Sequence, residues 1–345
     1  MGGFRNLIIG RPRCAAAPAW WLLALAIGCG GGNPSAQRGA AEADARLAQT
    51  EERKAPDASA AVKQGEAKLQ ANDAAGAKEA FEQALAQNPR DARAALDLGI
   101  ASEMLGDLGA AEAAYRKALG IDPGFAEAQN NLGVLLRESG QLDEAVQLLS
   151  SAAKANPDSA AAHQNLALAL EDQKQLERAG AEYERALELA PDDAMTRANY
   201  GLLLLKLDQK EQAARELSQA LGQTKERAAL LAIGNGLRRA GDAKGAVQAM
   251  ERAVAAGEPT PALLSELALA QRAAGMDVQA MASLDRALGL DGRYALAYYL
   301  KGNMLAADKK FGDAKKAFEQ YLKIAPNGEQ AANAKARLQM LQKQK

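Results

Sequence analysis

Small and large apolar residues recur along the chain at a fixed interval. A glycine or alanine returns every 34 residues from Gly65 onward, with one interval of 33. An alanine follows twelve residues after each, and a larger apolar residue follows four residues later. The small residues are Gly65, Gly99, Gly133, Ala167, Gly201, Gly234, Ala268 and Gly302, and the larger ones are Phe81, Tyr115, Leu149, Tyr183, Leu217, Met250, Leu284 and Phe318.

This spacing predicts eight copies of a helix-turn-helix unit. Two helices that cross at close range need Gly or Ala at the crossing point, and the large residue fills the gap to the neighbouring unit. Proline closes most units, because its ring removes an amide donor and disfavours a helical conformation in the residue before it. These prolines are Pro89, Pro123, Pro157, Pro191 and Pro326.

The predicted units stack, because no single unit can bury its apolar face alone. The residues after Pro326 place Leu338 and Leu341 among basic and amide side chains, which predicts a cap helix over 329–345. The predicted units cover about 58–91, 92–125, 126–159, 160–193, 194–226, 227–260, 261–294 and 295–328.

The 34-residue period and the order of small residue, alanine, large residue and proline resemble the tetratricopeptide repeat (TPR) family. The resemblance covers residues 58–328. It implies an all-α, right-handed superhelical solenoid of eight units with a C-terminal cap helix. It also implies that the first helices line a concave wall, where extended peptides or partner helices bind.

The junction between the fifth and sixth units is irregular. Lys225 stands where other units have proline, Gly222 interrupts the end of the helix, and the period shortens by one residue. Two interpretations remain open: a bend between units 5 and 6, or a one-residue loop deletion without consequence.

The N-terminal segment has the pattern of a targeting signal. Arg5, Arg11 and Arg13 precede an apolar run from Ala15 to Ile27, which is short for a membrane span. The run ends in Ala26-Ile27-Gly28-Cys29, which resembles a bacterial lipobox, although leucine is usual where Ala26 stands. We therefore predict a signal peptide over 1–28, a lipidated Cys29 and a flexible tether over 29–57; an ordinary secretory signal or an uncleaved anchor is the alternative.

The residue after the cysteine predicts the membrane to which the lipoprotein is sorted. By the same resemblance, an aspartate there is associated with retention at the inner membrane, and this chain has Gly30. We expect a lipoprotein of the outer membrane of a Gram-negative bacterium, facing the periplasm and held there by its acyl chains.

The amino-acid composition limits the kinds of ligand and reaction that we expect for this chain. The chain has 42 basic and 43 acidic residues, so no basic surplus favours nucleic acid. Both cysteines lie in the first thirty residues and the single histidine, His163, stands at a packing position. We find no nucleophile constellation, phosphate loop or metal-spaced cluster, and expect no enzyme activity, cofactor, metal or small-molecule substrate.

The predicted groove carries a recurring polar position two residues before the small one. Asp97, Asn131, Asn165 and Asn199 occupy it. A side-chain amide donates and accepts, which matches the C=O and N–H groups of an extended backbone. They are candidate peptide-binding residues; alternatively, asparagine is simply common at this position and bonds within the solenoid.

Charge along the predicted groove changes sign. Acidic residues occupy groove-facing positions of units 2 to 4, and basic residues occupy those of units 5 to 7. Such a gradient would orient a partner, whereas a solvated helix face is the alternative. The acidic residues are Glu103, Glu138, Glu171 and Asp172, and the basic ones are Lys206, Arg238, Arg239 and Arg272.

Repeats and a lipid anchor together predict a non-enzymatic scaffold for protein–protein interaction. The layout is similar to that of gliding-motility and type IV pilus assembly lipoproteins, which implies that it recruits or assembles components of a motility, pilus or secretion apparatus. The alternatives are an adaptor for cell-wall synthesis or hydrolysis enzymes, a subunit of an enzyme, and a self-associating structural solenoid.

Overall fold

A computed structural model describes residues 60–343 of the chain. The predicted signal peptide, lipidated Cys29 and tether lie outside these residues. Every regular element between 60 and 343 is an α-helix, and seventeen helices follow one another in pairs with a single helix at the end. The predicted all-α class is confirmed.

Each predicted unit contains two helices of 11 to 14 residues. The first helices are α1 Ala60–Gln70, α3 Ala92–Met104, α5 Ala126–Glu138, α7 Ala160–Asp172, α9 Ala194–Lys206, α11 Arg227–Ala240, α13 Pro261–Ala273 and α15 Ala295–Ala307. The second helices are α2 Ala74–Gln87, α4 Leu108–Ile121, α6 Leu142–Ala155, α8 Leu176–Leu189, α10 Lys210–Gln223, α12 Ala243–Ala255, α14 Asp277–Leu290 and α16 Phe311–Ile324, and α17 spans Ala331–Lys343.

The described chain divides into two compact bodies at Pro157 and Asp158, after the third unit. We call residues 60–157 the N-terminal body and residues 158–343 the C-terminal body. The division does not fall at the irregular junction between units 5 and 6, where the bend and the loop deletion both stay open. Arg252 bridges the fifth and sixth units by donating hydrogen bonds of 2.5 Å to the carbonyl oxygens of Leu221 and Thr224.

The N-terminal body is held together by the close crossing of the two helices in each unit. Phe81, Tyr115 and Leu149 are fully buried. A Cβ atom placed on Gly133 would lie 2.6 Å from the Leu149 Cγ atom and 3.3 Å from the Ala145 carbonyl oxygen. Only a hydrogen fits there, so the small residue is required by contact with the large residue of its own unit.

The same contact recurs in the C-terminal body, where the large residue also reaches the next unit. A Cβ atom on Gly201, in the same unit as Leu217, would lie 2.7 Å from the Leu217 side chain. One on Gly236, in the following unit, would also lie 2.7 Å from it. The large residue thus joins its own helix pair and fills the gap to the neighbouring one, as predicted.

The turn inside each unit depends on one residue in the left-handed region. Glycine supplies this conformation in four units, and longer side chains adopt it in the other four, at some cost in conformational energy. These residues are Asn72, Gly106, Gly140, Lys174, Asp208, Gly241, Gly275 and Lys309.

The last helix covers the apolar end of unit 8. Ala331, Ala334 and Leu341 of α17 are buried in a cluster that also contains Phe318 and Tyr321 of α16. The helix ends the stack with a partly polar surface, as a cap does in repeat proteins.

We predict that Gly133→Val destabilises the protein by about 2 to 3 kcal/mol, because the added carbons meet Leu149 and a fixed backbone oxygen. Gly120→Val is the matched control, since open space surrounds Gly120. Urea unfolding followed by circular dichroism checks both variants. Equal unfolding midpoints for the two would show that the crossing does not need glycine.

Candidate functional site

The first helices of the C-terminal body form one continuous wall. Helices α9, α11, α13 and α15 each contact the next of the series directly, whereas the second helices contact chiefly the first helices on either side. The first helices are therefore closer together than the second helices, which makes their side the inner, concave one. We call this surface the first-helix wall.

Asp97, predicted to line the groove, is buried in the N-terminal body with only 3% of its surface exposed. Its carboxylate accepts a hydrogen bond from the Arg93 Nε atom at 3.2 Å. Burial raises the pKa of Asp97 to about 6, although the nearby Arg93 charge acts in the opposite direction. Asp97 thus has a structural role within the chain, and its part in peptide binding stays a prediction.

The three asparagines of the predicted ladder differ in their surroundings. Asn131 lies in the N-terminal body and accepts a hydrogen bond from the Asn130 Nδ2 atom at 3.3 Å. Asn165 is half-buried in the C-terminal body and has a partner within the chain. Asn199, in the same body, is buried with 6% of its surface exposed. Three residues at one repeat position therefore have three local environments.

Two acidic residues of the predicted charge gradient accept hydrogen bonds from tyrosines of their own units. Glu103 accepts a hydrogen bond of 2.8 Å from the Tyr115 hydroxyl, and Glu171 accepts one of 3.0 Å from the Tyr183 hydroxyl. In both pairs the tyrosine follows the glutamate by twelve residues and is the large buried residue of the unit. These carboxylates satisfy buried hydroxyl groups, as buried polar groups generally require.

Two of the four basic residues of the gradient form ion pairs within the chain. Lys206 forms an ion pair of 2.5 Å with Glu171, and Arg272 pairs with Asp277 and, at 3.8 Å, with Asp308. Arg239 is exposed. Part of the charge gradient is therefore neutralised by ion pairs within the described chain.

Arg238 lies beside a buried carboxyl group. Burial raises the pKa of Glu266 above its usual value, and the Arg238 charge opposes that rise. Glu266 occupies the polar position of unit 7, two residues before Ala268, but sequence analysis did not single it out because the ladder was followed only through unit 5.

Four buried polar atoms of the neighbouring helices α9 and α11 have no hydrogen-bond partner among the described residues. One is the Arg197 Nε atom, whose side chain bonds Glu216, Gln219 and Pro191 through its other nitrogens. The other three are the Asn199 Nδ2, Asn235 Oδ1 and Arg238 Nε atoms. We call these three residues the polar set. Buried polar groups in folded proteins are nearly always bonded, so these three atoms are exceptions within the described chain.

Sequence analysis identified two members of the polar set and missed the third. Asn235 directly follows Gly234, and Asn303 directly follows Gly302 in unit 8. The recurrence of asparagine at that second repeat position was the signal that would have found it.

His163 has a packing role, as expected. Its Nδ1 atom lies 2.6 Å from the Glu182 Oε2 atom, and its side chain is 12% exposed. The contact joins the two helices of unit 4.

Residues 60–343 lack the features of a membrane span and of a metal site. None of their helices is both long and apolar enough to span a bilayer. No group of three or more His, Cys, Asp or Glu side chains within them is arranged to hold a metal ion.

Comparison with known protein families shows to which family the chain belongs. Four models described as tetratricopeptide repeats match residues 62–124, 104–170, 160–193 and 295–327. The chain belongs to the TPR family. The fold is that of protein–protein interaction scaffolds, and the inferred resemblance is confirmed.

Solved TPR structures resemble the chain at low identity. PilW, described as a widely conserved type IV pilus biogenesis factor, is 21% identical with a TM-score of 0.52, over 56% of this chain and 91% of PilW. A TPR protein from Parabacteroides merdae ATCC 43184 is 20% identical with a TM-score of 0.48, over 73% of this chain and 98% of that one. YrrB, described as having an unusual peptide-binding site, is 22% identical with a TM-score of 0.46, over 57% and 99%. At such identities the likeness concerns the fold alone.

No curated protein matches the chain by sequence.

We predict that Asp97→Asn stabilises the protein at pH 7 by about 1 to 2 kcal/mol. The pKa of Asp97 in the folded protein is about 6, above its ordinary 3.8. The parent protein therefore loses stability as the pH rises from 3.8 through about 6, because the buried carboxyl group must ionise. Near pH 4 the difference from the parent should nearly vanish. Asn131, Asn165 and Asn199 show that asparagine fits this repeat position.

Urea unfolding at pH 4 and pH 7 measures the effect. Asp192→Asn, at an exposed position, serves as control and should leave stability within about 0.5 kcal/mol. A lower unfolding midpoint for Asp97→Asn at both pH values would mean that the Arg93 ion pair outweighs the burial of the carboxylate.

Proposed function

We propose that this TPR protein is a non-enzymatic scaffold that binds an extended segment of a partner protein on the first-helix wall of the C-terminal body. The observation that carries the proposal is the polar set, whose buried donors and acceptor lack partners among residues 60–343. A binding partner that supplies the missing hydrogen bonds removes the cost of leaving such groups unsatisfied.

The chemistry of the polar set favours a peptide backbone as the ligand. Asn199 and Arg238 offer donors, and Asn235 offers an acceptor. An extended chain presents both C=O and N–H groups at every residue, so such contacts give affinity without demanding a particular side-chain sequence. Side-chain selectivity then comes from the apolar positions around the set, such as Leu202, which contacts the neighbouring helix near Gly236.

The scaffold acts at a membrane. We base this part of the proposal on the N-terminal pattern of arginines, apolar run and Gly28-Cys29, which predicts processing and acylation at Cys29. Gly30 favours the outer membrane, so the repeats would face the periplasm of a Gram-negative bacterium. An acyl anchor would determine where the repeat array acts, because it confines every captured partner to one membrane surface.

The partners that we expect at the outer membrane are components of an envelope machine, such as a motility, pilus or secretion apparatus. A scaffold fixed at the outer membrane brings its partners together at a raised local concentration, and assembly of a large complex benefits from that effect. Enzymes of cell-wall synthesis or hydrolysis are the alternative cargo, and identification of the crosslinked partners distinguishes the two.

We predict that Asn199→Ala, Asn235→Ala and Arg238→Ala, combined in the full-length protein, reduce crosslinking to envelope partners in cells by about tenfold. The double variant Asn199→Ala with Asn235→Ala should keep the thermal stability of the parent, whereas Arg238→Ala also removes the charge that opposes the burial of Glu266 and should lower it. Arg239→Ala, at the exposed neighbour of Arg238, is the control and should crosslink as the parent does. Unchanged crosslinking in the triple variant would contradict the proposed binding site.

We predict that Cys29→Ser abolishes incorporation of a labelled fatty acid and moves the protein from the membrane to the soluble periplasmic fraction. Fractionation with detection by antibody measures the change. Cys14→Ser, within the predicted signal peptide, is the matched control and should leave acylation intact. Retention of the Cys29→Ser protein in the membrane would point to an uncleaved N-terminal anchor.

A further inference from the structure

An open cavity of about 520 Å³ lies beside the last unit, between α15 and α17. Its lining comes from α15, from the turn that follows α15, from the start of α16 and from α17. This volume falls within the range of small-molecule sites, roughly 300 to 1,000 Å³, whereas the cavity between α13 and α15, of about 210 Å³, is smaller. We call the larger one the cap cavity.

Most of the cap cavity is lined by apolar and aromatic side chains. Met340 is 62% exposed, although a large apolar side chain gains free energy by leaving water. It follows Arg337 by three residues on α17, so the two side chains are neighbours on one side of that helix. A ligand with an apolar part would remove this wall from water. The wall consists of Tyr299, Ala306, Ala307, Phe311, Met340 and Leu341.

Two cations of the cap cavity are available to an anion. Lys309 and Arg337 line the cavity, are exposed and form no ion pair with another described residue. No carboxylate belongs to the lining. The acidic residues nearest to Lys309 in sequence have other partners, because Asp308 lies 3.8 Å from Arg272 and Asp313 lies 3.3 Å from Lys316. The electrostatic complement of the cavity is therefore an anion.

Positive charge is concentrated in this part of the chain. Residues 309–345 contain nine basic and three acidic residues, although the whole chain has a net charge of -1. Helix α17 contains no Asp or Glu. Basic side chains beside exposed apolar ones favour binding to anionic lipid, because charge attraction and apolar burial then act together.

The three polar residues of the cap cavity match a phosphate group. Guanidinium and ammonium groups form charge-assisted hydrogen bonds with phosphate oxygens, and the Asn303 amide offers a further donor. A soluble phosphate would use these residues but leave the apolar wall in water. A phospholipid would also cover Phe311 and Met340 with the first carbons of an acyl chain. The combination of cations and apolar wall therefore favours the lipid.

We propose that the cap cavity binds an anionic phospholipid, with the phosphate at Lys309 and Arg337 and the upper part of an acyl chain against Phe311 and Met340. The ligand class is a membrane lipid with a net negative headgroup, such as phosphatidylglycerol. This site goes beyond the scaffold role, because it adds a direct contact between the last unit and lipid. It does not depend on acylation of Cys29, and its residues are separate from the polar set.

The probe is a phosphatidylglycerol with a photoactivatable group in its acyl chain, mixed into phosphatidylcholine vesicles with the full-length protein. Mass spectrometry of the crosslinked peptides locates the lipid, whichever way the N-terminal segment attaches to the vesicle. We expect labelling within 299–311 and 337–341, at least about fivefold above that given by photoactivatable phosphatidylcholine. The difference should shrink as salt is added, because both cations are exposed. Equal labelling by the two lipids would overturn the proposal.

Lys309→Gln with Arg337→Gln should reduce labelling of the cap cavity by phosphatidylglycerol at least about fivefold. Lys310→Gln with Lys335→Gln is the matched control, because it removes two exposed charges from the same segments and neither lysine lines the cavity. Its labelling should stay within about twofold of that of the parent. Equal losses in the two double variants would mean that the charge surplus alone attracts the lipid, which overturns the cavity as the site.

The apolar wall provides an independent test. Met340→Gln should reduce labelling of the cap cavity by about threefold, because it replaces an apolar contact of the acyl chain with an amide. Val278→Gln is the control, since Val278 is 82% exposed on α14 and lines neither cavity. It should label as the parent does. All the substituted positions are exposed, so the unfolding midpoints should stay close to that of the parent.

Two other ligands have distinct signatures, and either one overturns the proposal. Loss of labelling in an excess of inorganic phosphate at constant ionic strength, together with no effect of Met340→Gln, would mean that the cavity takes a soluble phosphate. Absence of lipid labelling, together with crosslinking in cells from a photoreactive residue in place of Met340 to an acidic protein, would mean that a protein occupies the cavity.

The polar set separates this inference from the scaffold proposal. Asn199→Ala with Asn235→Ala should leave lipid labelling of the cap cavity unchanged, which supports two separate sites. If the lipid does not label the cavity while envelope partners still crosslink through the polar set, only the cap-cavity proposal fails. If the cavity is labelled while no envelope partner crosslinks, only the scaffold proposal fails.

Discussion

The close crossing of two helices within each unit is the contact on which the rest of the molecule depends. At Gly133 the approach leaves room only for a hydrogen, and the side chain of Leu149 occupies the space that a Cβ atom would take. In the C-terminal body the corresponding Leu217 also fills the gap to the next unit. One side chain therefore fixes both the angle within a unit and the stacking between units, which brings the first helices together as a wall.

That wall uses most of its polar groups for internal pairing. Glu171 bonds a buried tyrosine hydroxyl and an adjacent lysine, and Arg272 is held by two aspartates. Groups satisfied in this way position the helices and contribute little to recognition of a partner. The polar set differs because one polar atom of each of its residues has no partner within the described chain, and the proposed binding of an extended segment rests on this difference.

The end of a repeat array creates a second kind of surface. Each inner unit is covered by two neighbours, whereas unit 8 is followed only by α17, a single helix. Its buried residues Ala334 and Leu341 close part of the last interface, and a cavity remains between α15 and α17. An open cavity beside the last unit thus follows from ending a stack of helix pairs with one helix.

The sequence by itself determined the period, the helix pairs, the closing prolines and the family, because these depend on neighbours within one repeat. Asn88-Pro89 ends α2 as predicted, since the constraint is local. Only the tertiary structure decided that Asp97 is buried, that Glu171 meets Lys206 across 35 residues, and that the chain divides after Pro157. It also revealed Asn235, for the same reason: burial and pairing depend on distances between units, and a repeated position does not have the same surroundings in every unit.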